Sequence, residues 1–244
     1  MTKFFSAVAL VAIILLNGPA HAAIVVSDNF TYPDGNLAGN GGWNAHSGTG
    51  SFVQVASGEV SLAHGGGSRE DVNIQFAEIT SGVLQYSFDL RVQDDAPVGG
   101  SDHEYFAHFA AANTSGGITN FRGRLDVVPA SGAGDFSLGI ASSSSSADAT
   151  LTQGFDFGDV VSVAVQYNLD TDIAQLTVNG ETVTSAVGSG AQDIVAFAFR
   201  QSNSTPDESI FVDNLIVETL SVPEPNSLGV LALVSVAFVI RRRR

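Results

Sequence analysis

The chain has 244 residues, 25 acids against ten Lys and Arg for a formal charge of −15, 26 glycines and no cysteine. The missing cysteine excludes disulfides, a thiol nucleophile and any thiolate-held metal. The acid surplus argues against nucleic acid as a partner.

In chain order, the N-terminus comes first. Lys3 supplies a positive n-region, Phe4 to Leu16 an apolar stretch, and Ala20-His21-Ala22 an A-x-A cleavage site. This is the pattern of a secretory signal peptide, expected over residues 1–23, with a mature chain beginning near Ile24. The apolar stretch is short and stops at Asn17-Gly18-Pro19, which argues against a permanent anchor.

The body, 24–221, carries 24 acids, no lysine and five arginines (Arg69, Arg91, Arg122, Arg124 and Arg200), a formal −19. Its size suits one all-β domain with a substantial core. Period-two alternation recurs along it, and helical periodicity is scarce. Leu84, Tyr86, Phe88, Leu90 and Val92 are expected on one face, with Gln85, Ser87, Asp89 and Arg91 on the other. Phe121, Leu125 and Val127 alternate with Arg122, Arg124 and Asp126, and Val161, Val163, Val165 and Tyr167 with Ser162, Ala164 and Gln166. Asn179-Gly180 between two β-rich runs predicts a type I′ hairpin, because both residues accept positive φ. Ile194 to Arg200 and Ile210 to Val217 read as further strands. Segments 39–50, 65–67, 98–101 and 142–146 read as loops. The fold class expected is all-β, a two-sheet antiparallel sandwich of twelve or more strands.

Several stretches of the body resemble the concanavalin A-like, laminin-G-like jelly roll. They are Asp28-Asn29-Phe30 with Asp34-Gly35-Asn36-Leu37 and Gly42-Trp43, the strand Val160 to Tyr167 with Gln175 to Gly180, and the closing Phe211 to Val217. The resemblance implies terminal strands that pair, one curved sheet and frequent carbohydrate or protein binding. Glucanases of this fold carry Glu-x-Asp-x-x-Glu so that alternate carboxylates share a face. That spacing is absent; Asp102-His103-Glu104 comes nearest and lacks the third acid. No Gly-x-Ser-x-Gly elbow occurs, and the body is expected to be non-catalytic. His46, His64, His103 and His108 are expected in loops or at the surface.

Calcium is the cofactor these residues allow, since hard cations take Asp, Asn and carbonyl oxygens. Asp28 and Asp213 would converge if the terminal strands pair, and Asn168, Asp170 and Asp172 share one tight turn. Turn and cap bonding is the competing role for all five. For a ligand, the candidates are Trp43 and His46, and the polar faces around Arg91, His108, Arg122 and Arg124. Aromatic rings stack on sugars while guanidinium groups bond hydroxyls. Against this, a lone Trp serves a core, and arginines on an acidic body pair with carboxylates.

The tail, 222–244, reads differently. Val222, Pro223, Glu224 and Pro225 form an extended, proline-stiffened strip. An apolar run follows, expected as a transmembrane helix over 227–240, and Arg241, Arg242, Arg243 and Arg244 close the chain. Thirteen residues from Leu228 to Ile240 span roughly 20 Å, short of a hydrocarbon core of roughly 30 Å. Long arginines snorkel and a bilayer thins to meet a short helix. The positive-inside rule puts the arginines in the cytoplasm and the body outside. These three parts in order resemble the PEP-CTERM sorting domain. The resemblance implies export, cleavage by signal peptidase, anchoring in the inner membrane with a periplasmic body, then handling by exosortase near Pro223-Glu224-Pro225 and delivery to the cell surface or beyond. The partners then implied are an exopolysaccharide or a cell-surface protein. A coat component with no small ligand, and a glycan hydrolase, are the alternatives.

Overall fold

Every regular element is a strand among the residues that the computed structural model describes, 22–64, 69–100, 105–202 and 208–220. The signal peptide up to His21, the loop 65–67, the Asp102-His103-Glu104 acids and the sorting tail lie outside these residues. The described ones fall within one compact unit, Ala22–Val222.

One sheet contains nine strands. In chain order these are β1 (Ala23–Asp28), β2 (Gly35–Asn36), β4 (Gln54–Ala56), β5 (Glu59–Ala63), β7 (Val83–Gln93), β12 (Val160–Asn168), β13 (Ile173–Val178), β14 (Glu181–Thr184) and β16 (Ser209–Leu220). Their order across the sheet is β14-β13-β12-β7-β16-β5-β4-β2, with β1 also paired to β16. The second sheet contains β3 (Trp43–Ser47), β6 (Asp71–Ile79), β8 (Tyr105–Ala112), β9 (Ile118–Val128), β10 (Ser137–Ala141), β11 (Ala149–Thr150) and β15 (Ile194–Arg200). Its order is β11-β10-β9-β8-β15-β6-β3. All pairings are antiparallel. The terminal strands pair as expected, Ala23 opposite Thr219 and Asp28 opposite Leu215.

Alternation explains the nine-stranded sheet. Leu84, Tyr86, Phe88, Leu90 and Val92 are buried, as are Val161, Val163, Val165 and Tyr167. The hairpin at Asn179-Gly180 has φ of 49° and 85°, the two positive values a type I′ turn demands. Between the sheets the core is aromatic. Tyr86 lies 5.0 Å from both Phe109 and Phe197, centroid to centroid. Its buried hydroxyl donates to the Gly123 carbonyl at 2.8 Å, so the ring is buried without stranding a polar atom.

Two expectations fail here. The segment 39–50 is not all loop: Trp43–Ser47 is an edge strand on β6, too short between glycines to show a period. Nor does alternation run unbroken through β9. Gly123 sits at φ +58°, and the β8–β9 register shifts between Ala107 and Phe109. A left-handed residue inside a bulged strand changes which side the next side chains take. Phe121 therefore leaves the main core and packs with Ala110, Ile118, Ala196 and Ala198, while Arg122 turns into the interior.

Candidate functional site on the outer face of the seven-stranded sheet

The cluster grows from the cross-strand order β9-β8-β15-β6-β3. Arg200 in β15 stands opposite Asp71 in β6, and Tyr105 in β8 opposite Asp126 in β9. The Tyr105 ring carries two guanidinium groups, with Arg124 Cζ at 4.5 Å and Arg200 Cζ at 4.7 Å from its centroid. Phe121 lies 6.4 Å from Tyr105, and His108 lies 4.1 Å from Phe121 and 5.4 Å from Tyr105. His46 on the edge strand meets Phe121 at 6.5 Å.

The polar atoms define the chemistry on offer. Asn73 Nδ2 donates to His46 Nδ1 at 3.1 Å and to the Asn44 carbonyl at 3.2 Å, which leaves the proton of His46 on Nε2. Burial lowers the His46 pKa while Asp71 opposes the shift. His108 is fully buried. Its Nδ1 donates to the Phe109 carbonyl at 3.0 Å, and its Nε2 bonds to nothing among the described residues. Burial holds its pKa well below 6.5, the Phe109 bond opposes, and His46, Arg124 and Arg200 push the same way as burial. Both histidines are neutral at pH 7. Arg124 donates from one Nη to the Ser144 carbonyl at 3.1 Å. Its own pKa is lowered, first by burial, with Arg122 and Arg200 adding to it. The middle of this face thus brings two guanidinium groups together beside Asp71 and Asp126, on a body with 19 surplus negative charges.

The sequence candidates scatter. His46, His108 and Arg124 come together here, joined by Tyr105, Phe121 and Arg200, which sequence reasoning did not select. Trp43 does not join them. It is 1% exposed, stacks on Phe199 at 5.3 Å and 11°, and donates Nε1–H to Asp28 at 2.8 Å; it is a core anchor. Arg91 belongs to the other sheet, with its guanidinium 4.0 Å over Phe211 and paired to Glu59. Arg122 Nε lies 3.3 Å from Asp172 Oδ1 in the interior. The expectation of surface histidines fails for His108 and also for His64. His64 is buried against Ser202 and Glu208, and its pKa is pushed down to about 3 by burial, aided by Arg200 and Arg69. A cleft of about 810 Å³ opens elsewhere, between Asp94–Pro97 and Phe157, with no arginine among the described residues that line it.

The calcium candidates are engaged in local hydrogen bonds. Asp28 Oδ1 accepts the Phe30 N–H at 2.9 Å, and its Oδ2 accepts the Tyr32 O–H and the Trp43 Nε1–H, both at 2.8 Å. Asp213 caps the Asn214 N–H at 2.7 Å. In the turn, Asn168 accepts the N–H groups of Asp170 and Thr171, and Asp170 accepts from Gly82. Asp172 faces the other way, toward Tyr167, Ser142, Gly190 and Arg122. Turn, cap and side-chain bonding thus accounts for the contacts these residues make. Among the described residues, no three His, Asp or Glu gather as metal ligands.

Residues 221–244 match the family described as the PEP-CTERM protein-sorting motif. The chain ends in a sorting signal for export and membrane anchoring. No curated protein matches the chain in sequence. Its fold is similar to that of a peanut lectin solved with a 9mer peptide, at 16% identity over 83% of this chain and 100% of that one, with a TM-score of 0.52. A sialidase is similar over 82% of this chain, at 14% identity and a TM-score of 0.52, but the chain spans only 19% of the sialidase. The binding domain of botulinum neurotoxin DC, solved with rat synaptotagmin II, aligns over 81% of this chain and 49% of its own length, at 14% identity and 0.50. At such identities the likeness is one of fold, a concanavalin A-like, lectin-type jelly roll.

Proposed function

We propose that this is an exported surface protein whose sandwich is a non-catalytic glycan-binding module. In this reading signal peptidase removes residues 1–23, the tail 222–244 holds the chain in the inner membrane, exosortase processes it near Pro223-Glu224-Pro225, and the body 24–221 serves the extracellular polysaccharide matrix. One observation carries the binding half: His46, Phe121, Arg124 and Arg200 remain partly exposed around a buried Tyr105 and His108. Rings offer apolar faces to a pyranose, and guanidinium and imidazole N–H groups offer donors to its oxygens. The lectin-type fold supports the same reading by analogy.

The test is retention of the processed protein, isolated from its own cells, on the producer's exopolysaccharide and on a glycan array. Retention that weakens at least tenfold in Arg124→Ala, at unchanged melting temperature, is the expected result. No retention on any glycan sinks the proposal.

A further inference from the structure

We propose that the sandwich itself governs tail processing: the end of β16 acts as a brake, and exosortase cleavage near Pro223-Glu224-Pro225 waits until Glu218 to Leu220 leave the sheet. This rests on the exosortase reading above and adds the regulation of that step.

Three observations carry it. First, β16 leaves almost no margin before the tail. Its last residue, Leu220, is still paired with Val83 of β7, and the sorting motif is matched from residue 221. Only Ser221 and Val222 separate the paired strand from Pro223, at most about 10 Å of chain. Second, the end of β16 is gripped from both edges. β7 pairs with Glu218, Thr219 and Leu220 on one side, and β1 pairs with Glu218 and Thr219 on the other. Glu218 also accepts from Gln85 at 2.9 Å, and Gln85 from Gln166 at 3.0 Å, so side chains tie the same end across three strands. Backbone bonded on two sides opens at a higher free energy than a fraying edge. Third, the other processing point lies at the same end, because β1 begins at Ala23 and Ala23 stands opposite Thr219. Proteases act on unpaired backbone, so their rate follows the population of the locally opened state. Signal peptidase therefore cuts before β1 docks, and docking then adds the second grip on β16. The order is signal-peptide removal, closure of β1, and last the slow opening that admits exosortase.

The experiment follows the full chain in its own cells by pulse-chase, with mass spectrometry reading the C-terminus. Val83→Cys with Leu220→Cys bridges the last pair. The chain has no cysteine of its own to compete, an exported body meets oxidising conditions, and cross-strand partners lie within disulfide reach. Gln85→Cys with Glu218→Cys is the second lock should the first misfold. The oxidised lock should slow tail processing at least tenfold, and the same variant with reductant in the medium should match the wild type. A linker of about eight Gly and Ser residues inserted between Ser221 and Val222 should speed processing several-fold and relieve the lock. Wild-type rates in both locks, or a linker that changes nothing, overturn the brake and leave exosortase processing standing. A wild-type chain that keeps residues 222–244 throughout the chase overturns both.

Discussion

The two outer faces of the sandwich are built on opposite plans. On the nine-stranded sheet the exposed rows are hydrogen-bonded ladders. Gln166 donates to Gln85 and Gln85 to Glu218, Thr177 bonds Thr182, and Ser162 and Asn214 both donate to Asp89. Each member is polar and at least partly exposed, and β7 and β12 alternate cleanly, while β16 shifts register between Asp213 and Ile216. On the seven-stranded sheet β8 is buried at seven of its eight positions and β10 at all five, and the outer rows hold alanine, histidine and aromatic rings. A solvated face needs only polar residues at every second position. A face that buries histidine and crowds arginine gives up stability, which points to selection for something other than folding.

The largest expected effect lies where a nine-stranded turn grips the other sheet. Asp172→Ala leaves Arg122 buried without its carboxylate and should cost about 3–5 kcal/mol. Asp170→Ala, two residues away and exposed, should cost about 1 kcal/mol or less, since it removes only long bonds to the Gly82 N–H. Urea unfolding of both variants measures the contrast, and equal losses would dissolve it.

Acid should expose the histidines next. Folded, His64 titrates near 3 and His108 well below 6.5; unfolded, both return to about 6.5. Below that value the unfolded chain binds protons that the folded chain refuses. Stability is therefore full above about pH 7 and falls as pH drops through 6.5 toward 3. The loss is about 1 kcal/mol per histidine between pH 7 and 5.5. His108→Phe should flatten roughly half of this slope, and a urea midpoint indifferent to pH over that window would count against neutral buried histidines.

The smallest contrast compares the faces directly. Phe121→Ala should destabilise by about 1–2 kcal/mol, because the ring covers Ala110 and Ala198, whereas Gln166→Ala on the opposite ladder should fall within about 0.5 kcal/mol of the wild type. Thermal melts of the two variants decide it.

Much of this was legible in one dimension. Strand positions, the Asn179-Gly180 hairpin and the inward stripe of β7 follow from side-chain period and turn chemistry, which act over a few residues; the pairing of the terminal strands was implied only by the family resemblance. The sorting tail is equally local: prolines, an apolar run and arginines in order. Trp43 was legible only as an aromatic among glycines, and Asp172 only as one of three acids in a turn. Their fates, a core anchor and the partner of a buried arginine, depended on what other strands brought to them.

The sequence by itself thus determined that this is an acidic, cysteine-free, all-β body ending in a sorting signal, because composition and short-range periodicity suffice for that. Only the tertiary structure decided that His46, Tyr105, His108, Phe121, Arg124 and Arg200 share one face. They come from four strands as much as 154 positions apart. Their meeting depends on sheet order and on a phase change at Gly123, and neither is encoded within any single strand.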